Sequence, residues 1–136
     1  MPRLSIYIIR ASLIYLLVGM AIGALLLAQK ALPLYISLWR FFPMHIEFVL
    51  MGWIVQLVIG VSFWMLPRLP GNVRRQERLV WFGFIGLNVG ILLVSVEPFF
   101  PALSFLGLGG RFSELFAMVL YTIHVWRRVR PFGDSV

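Results

Sequence analysis

FFPMHIEFVLMGWIVQLVIGVSFWMLPR, residues 41–68, decides the class of this protein. It is one long apolar run with His45 and Glu47 near its start, Gln56 in its middle and Pro67-Arg68 at its end. Three further apolar segments flank it, and together they predict helices over roughly 8–28, 44–66, 79–96 and 104–128. The fourth carries Arg111 and Glu114. Starting it at Phe112 would leave a helix of about 22 Å, short of a bilayer's hydrocarbon core, so its start is placed near Ser104.

The whole chain reads the same way. Of its 136 residues 61% are hydrophobic and only 12% charged, with a mean hydropathy of +0.95. Soluble domains are about a quarter charged, so this chain has too little polar surface to cover a globule in water. The expected fold is all-α: an integral-membrane four-helix bundle forming a single domain over 1–136. With no cysteine, thiolate ligands, iron–sulfur clusters and disulfides are excluded. The formal charge of +7 comes from arginines between and after the apolar runs, a pattern of membrane topology that offers no stripe for nucleic acid.

Orientation follows from those charges. With the N-terminus inside, the inner side holds Arg3, Arg10, Arg68, Arg74, Arg75, Arg78, Arg127, Arg128 and Arg130, against Lys30, Arg40 and Arg111 outside. Both termini are then cytoplasmic, and residues 31–42 form an outer connection along the interface. The apolar run of the first segment is long for a signal peptide, so it is read as a retained helix.

Within 41–68, His45, Phe48, Gly52, Gln56, Gly60 and Phe63 share one helical stripe, which should face the interior or something bound there. Gln56 is expected to bond Asn88, Arg111 to pair with Glu114 three residues on, and Glu47 to be interfacial. Gly19/Gly23 and Gly86/Gly90 are GxxxG pairs that let helices approach closely and make a homodimer plausible.

His45 is the candidate metal ligand. A neutral imidazole adds no charge to a membrane interior, and a haem asks the protein for only one or two ligands. Gly52 and Gly60 would leave room for the macrocycle, and Arg40 and Arg111 would face its propionates. His124 lies about 25 Å or more from His45 along the axis, too far for one iron. It is either an inner-surface residue or the ligand of a second haem. No nucleophile–base pair or nucleotide loop is visible, so the residues do not point to an enzyme.

His45 and the run Gly52–Arg68, "GWIVQLVIGVSFWMLPR", resemble the second transmembrane helix of subunit I of the haem-copper oxidase superfamily, nearest to nitric oxide reductases and C-type oxidases. There a histidine near the outer end ligates the low-spin haem b and a proline closes the helix, positions matched by His45 and Pro67. With "HVWRRVR" from His124 to Arg130, the chain is also similar to small four-helix bacterial proteins related to that subunit. The resemblance implies haem b, one or two per chain or one shared across a dimer, in a multi-pass protein of the bacterial cytoplasmic membrane. It implies electron transfer with a quinone or redox protein, or binding of a diatomic gas. Two histidines cannot build a binuclear oxygen-reducing centre. The alternatives are a non-haem structural or assembly subunit of a respiratory complex and, third, an ion or small-molecule conduit lined by Gln56, Asn88 and Arg111.

Overall fold

The computed structural model describes residues 3–32, 35–66, 73–126 and 128–129, with side chains of the third long helix described from residue 77 onward. Pro67, Arg68, Arg74, Arg75, Arg127 and Arg130 therefore fall outside the described side chains. The chain is helical nearly throughout. Helix α1 spans Arg3–Ala31. A second rod starts with a 3-10 turn, Ile36–Phe41, and continues as α2 (Phe42–Glu47), a π segment (Phe48–Val55) and α3 (Gln56–Met65). Helix α4 runs Val73–Val96 and α5 runs Phe105–Trp126, joined by two short 3-10 turns.

Three stretches are long and apolar enough to cross a membrane: Arg3–Ala31, Ile36–Met65 and Glu77–Phe99. Helix α5 matches them in length, with 22 residues. Its composition is interrupted by Arg111 and Glu114, the two residues that made its start hard to place.

Residues 36–42 of the expected outer connection belong to the second rod: they wind directly into α2, with Pro43 in its first turn, where a missing N–H costs nothing. At the other end of the rod Leu66 turns to extended backbone, the conformation favoured before a proline.

The apolar stripe of residues 41–68 faces inward. Phe48, Gly52, Gln56, Gly60 and Phe63 are all buried, and His45 is half-buried. On α1 the matching stripe is Leu4, Ser5, Ile8, Ser12 and Gly19, with the steps of three, four and seven that keep to one helix face. The core gathers Leu4, Ile8, Phe48, Ile59, Phe63, Val80, Leu87, Ile91 and Ala117. The outside is equally apolar: Leu17, Leu27, Met65 and Trp126 are each 70% or more exposed. Helices apolar all round belong in a large core or a bilayer.

Both glycine pairs are used within the chain. A methyl at Gly90 would lie 2.8 Å from the Gly110 carbonyl oxygen, so α4 and α5 cross at backbone distance, and Ser113 Oγ donates to the Gly86 carbonyl at 2.7 Å. On α1, Gly19 packs on Phe48 and Val49 and Gly23 on the His45 ring. The glycines that made a homodimer plausible therefore face other helices of the same chain and offer no argument for a second copy.

Candidate functional site: a buried carboxyl pair under one guanidinium

The two ends of the bundle differ in how their charges are held. At the His45 end, Glu47 of α2 and Glu114 of α5 are each only 3% exposed. Arg111 joins them. Its NH2 group lies 2.7 Å from Glu47 Oε2 and its NH1 group 2.8 Å from Glu114 Oε2. One guanidinium therefore draws the two carboxyl groups together. Their remaining oxygens, Glu47 Oε1 and Glu114 Oε1, are buried without a hydrogen-bond partner among the described residues.

Local structure explains the convergence. Glu114 reaches α4 across the gap that Gly90 leaves, where an added methyl would lie 2.6 Å from Glu114 Cγ. Arg111 precedes it by one turn and stays 56% exposed, so its stem runs outward while its head turns back to the acids. Glu47 ends α2, just before the π segment. The reading of Glu47 as interfacial is corrected: it is buried and ion-paired. Glu114 does pair with Arg111 as its spacing predicts, but shares it with Glu47.

Further along the bundle the polar groups are mostly paired. Tyr15 donates its hydroxyl hydrogen to Asn88 Oδ1 at 3.0 Å, and Asn88 Nδ2 donates to the Phe84 carbonyl at 2.8 Å. Asn88 thus bonds Tyr15, where Gln56 was expected. Gln56 is fully buried; its Nε2 reaches the Ile8 carbonyl at 3.4 Å, and its Oε1 has no partner among the described residues. A cavity of about 10 Å³, bordered by Gln56, Val80, Leu87 and Tyr121, adjoins it, the volume that one water centre needs. Tyr121 hydrogen-bonds Ser62 on α3.

At the far end His124 is buried. Its Nε2 accepts a hydrogen bond from Arg128 NH1 at 3.0 Å. Arg128 also donates to the Leu66 carbonyl at 2.7 Å and lies over the Phe63 ring at 5.2 Å. It satisfies a carbonyl that the end of α3 leaves open. His124 is therefore a buried residue that holds Arg128. It stands beside Phe63, about 27 Å along the rod from His45 by helical rise, so no single iron joins the two histidines.

The predicted haem site at His45 is filled by protein. His45 Nδ1 lies 2.8 Å from the Gly19 carbonyl oxygen, so Nδ1 carries the hydrogen and donates it. The ring edge occupies the notch at Gly23, where a methyl would lie 2.6 Å from Cε1. The Tyr15 ring fills the space at Gly52, with a methyl there 2.5 Å from Cγ, and Ile8 and Ile9 fill that at Gly60. A nearby cavity, bordered by Ile22, Leu26 and Phe41, measures about 100 Å³, below the roughly 300 Å³ where small-molecule sites begin. Arg111 is engaged by two carboxylates, and Arg40 is exposed at the end of the 3-10 turn. As folded, the described residues of one chain do not fit a tetrapyrrole beside His45. They include no group of three or more His, Asp or Glu side chains that could hold a bare metal ion.

Compared with known proteins, the chain matches no family model, no curated protein and no solved structure.

Proposed function

We propose that this is a membrane-embedded cation-handling protein that admits a small monovalent cation to the carboxyl pair at the His45 end. The observation that carries the reading is the burial of Glu47 and Glu114 around one guanidinium. Ionisable side chains inside membrane helices are costly and typically mark ion or proton paths. Two ionised carboxylates and one arginine would leave one negative charge in an apolar bundle, so the site lacks one positive charge. Tyr15–Asn88, Gln56 with its small cavity, and Tyr121–Ser62 continue the polar line into the interior.

Purified protein in sealed vesicles, loaded with a pH-sensitive dye or with a sodium- or potassium-sensitive one, tests this. Under an imposed potential the wild type should move one of these ions faster than protein-free vesicles, and the Glu47→Gln/Glu114→Gln double variant should not. Wild-type flux equal to that of empty vesicles overturns the reading.

The second reading is a b-type haem held through His45. One observation favours it: donation from Nδ1 to a backbone carbonyl leaves Nε2 with the lone pair a metal would need, the usual arrangement of a ligating histidine. Against it stand the filled notches at Gly23, Gly52 and Gly60. Absorption spectra of protein produced with ample haem, oxidised and reduced, separate the two readings. A Soret band lost in His45→Ala favours haem, and colourless protein leaves the first reading alone.

A further inference from the structure

We infer that the cation held at this site is a proton, shared between the facing carboxyl groups of Glu47 and Glu114, so that the triad with Arg111 is neutral. This rests on the cation-handling reading and names its ion.

The geometry points to a proton in three ways. First, the oxygens facing Arg111 are already engaged, Glu47 Oε2 at 2.7 Å and Glu114 Oε2 at 2.8 Å, and the oxygens left over are one on each acid. Both are buried and unpartnered among the described residues. A proton on one carboxyl turns that group into a donor, and the carboxylate held by the same guanidinium can accept from it. One O–H···O bond then removes the surplus charge. Two carboxylates held side by side in a low dielectric do not both ionise.

Second, a metal cation needs more oxygen ligands than the pair supplies. Only two oxygens are left free, Glu47 Oε1 and Glu114 Oε1, a third or less of the six to eight that oxygen-bound cations such as calcium take. Gly90 and Gly110 bring α4 and α5 to backbone contact distance beside the Glu114 stem. Third, the other charges near the site do not replace the proton. Glu97, on the connector, lies against Gly107, one turn before Arg111, and adds negative charge to that end. His45, two residues before Glu47, is turned to α1 and hydrogen-bonded to Gly19. Lys30 and Arg40 are exposed. Arg111 is the bridge between the pair and the exterior, with its head on the acids and half its surface open.

Infrared difference spectroscopy of the full chain in lipid tests the assignment, through the C=O stretch of a protonated carboxylic acid and its shift in deuterium oxide. The wild type should show one such band, and both Glu47→Gln and Glu114→Gln should lose it, because the remaining carboxylate then pairs with Arg111 alone. A wild type without the band, whose carboxylate bands shift on adding sodium or potassium, overturns the proton while leaving the cation reading intact. A band that survives both substitutions places the proton elsewhere, Glu97 being the neighbour to replace next, and overturns the inference as well. A band that behaves as expected in a protein that moves no ions keeps the shared proton and removes the transport reading.

Discussion

The two ends of the bundle place an arginine on α5 or just beyond it, and each reaches across to the rod of residues 36–65, yet the two are built for different ends. Arg128 meets only neutral partners among those described above: the His124 ring nitrogen, backbone carbonyls at the end of α3 and the Phe63 ring. Each of these hydrogen bonds closes an open acceptor, which is what a structural latch requires. Arg111 meets two buried carboxylates and leaves one oxygen of each unsatisfied. Unmet buried acceptors cost stability, so a fold that keeps two of them side by side stores a demand for a ligand. The comparison teaches that a buried charge alone does not mark a site. The marker is the buried acceptor that the surrounding described residues leave unmet.

Substitutions can break this comparison, and the largest effect is expected at Arg111. Arg111→Leu leaves two buried carboxylates without their cation. Removing one partner of a buried ion pair costs of order 3–5 kcal/mol, and the low end applies because the guanidinium is half in solvent. Denaturant titration in detergent micelles reads the loss. Adding Glu47→Gln and Glu114→Gln to the same chain should recover most of it, since no charge is then left behind.

Next comes the helix crossing that shapes the same end. Gly90→Ala forces a methyl against the Gly110 carbonyl and the Glu114 stem, and overpacking of this kind costs about 1–3 kcal/mol. Gly109→Ala, one residue from Gly110, meets no atom within 4 Å and should stabilise the helix by up to about 1 kcal/mol. Equal effects of the two would show that α4 and α5 do not cross as described.

At the opposite end Arg128→Met should cost about 1–3 kcal/mol, from carbonyls left open and a lost ring contact. No substitution of His124 should rescue it, in contrast to the rescue at Arg111. The smallest effect belongs to Arg40. It is exposed, and Arg40→Ala should fall within about 0.5 kcal/mol of the wild type in the same titration.

Much of the architecture was legible because hydropathy and helical spacing report it directly. The inward stripe Phe48–Gly52–Gln56–Gly60–Phe63 and the placing of the fourth helix near residue 104 come from those patterns. Helix ends were less legible. Helix α1 starts at Arg3 and α4 at Val73, earlier than the apolar runs, because hydropathy marks where a helix is greasy and the backbone keeps winding through polar residues. The site was the least legible part. At 3.6 residues per turn, Glu47 stands nine residues and half a turn from Gln56, which sends it to the opposite face. The π segment between them, with its i→i+5 bonds, turns through less angle per residue and changes that phase, so both side chains are buried. No composition rule announces such a segment. The neighbours of these glycines were illegible for a related reason: Gly52 and Gly60 mark close approach, and spacing does not say whether a ligand or the next helix approaches. Here Tyr15, Ile8 and Ile9 do.

The measurement that bears most directly on the shared charge is a double-substitution cycle on Glu47 and Glu114, read as unfolding free energy in detergent. Glutamine copies the shape of a protonated glutamate, so each single Gln substitution should shift stability by less than about 1 kcal/mol, and the double should exceed their sum by at least about 1 kcal/mol because Arg111 then has no anion. Large single effects of either sign that simply add would mean that both acids act independently, and would contradict the account.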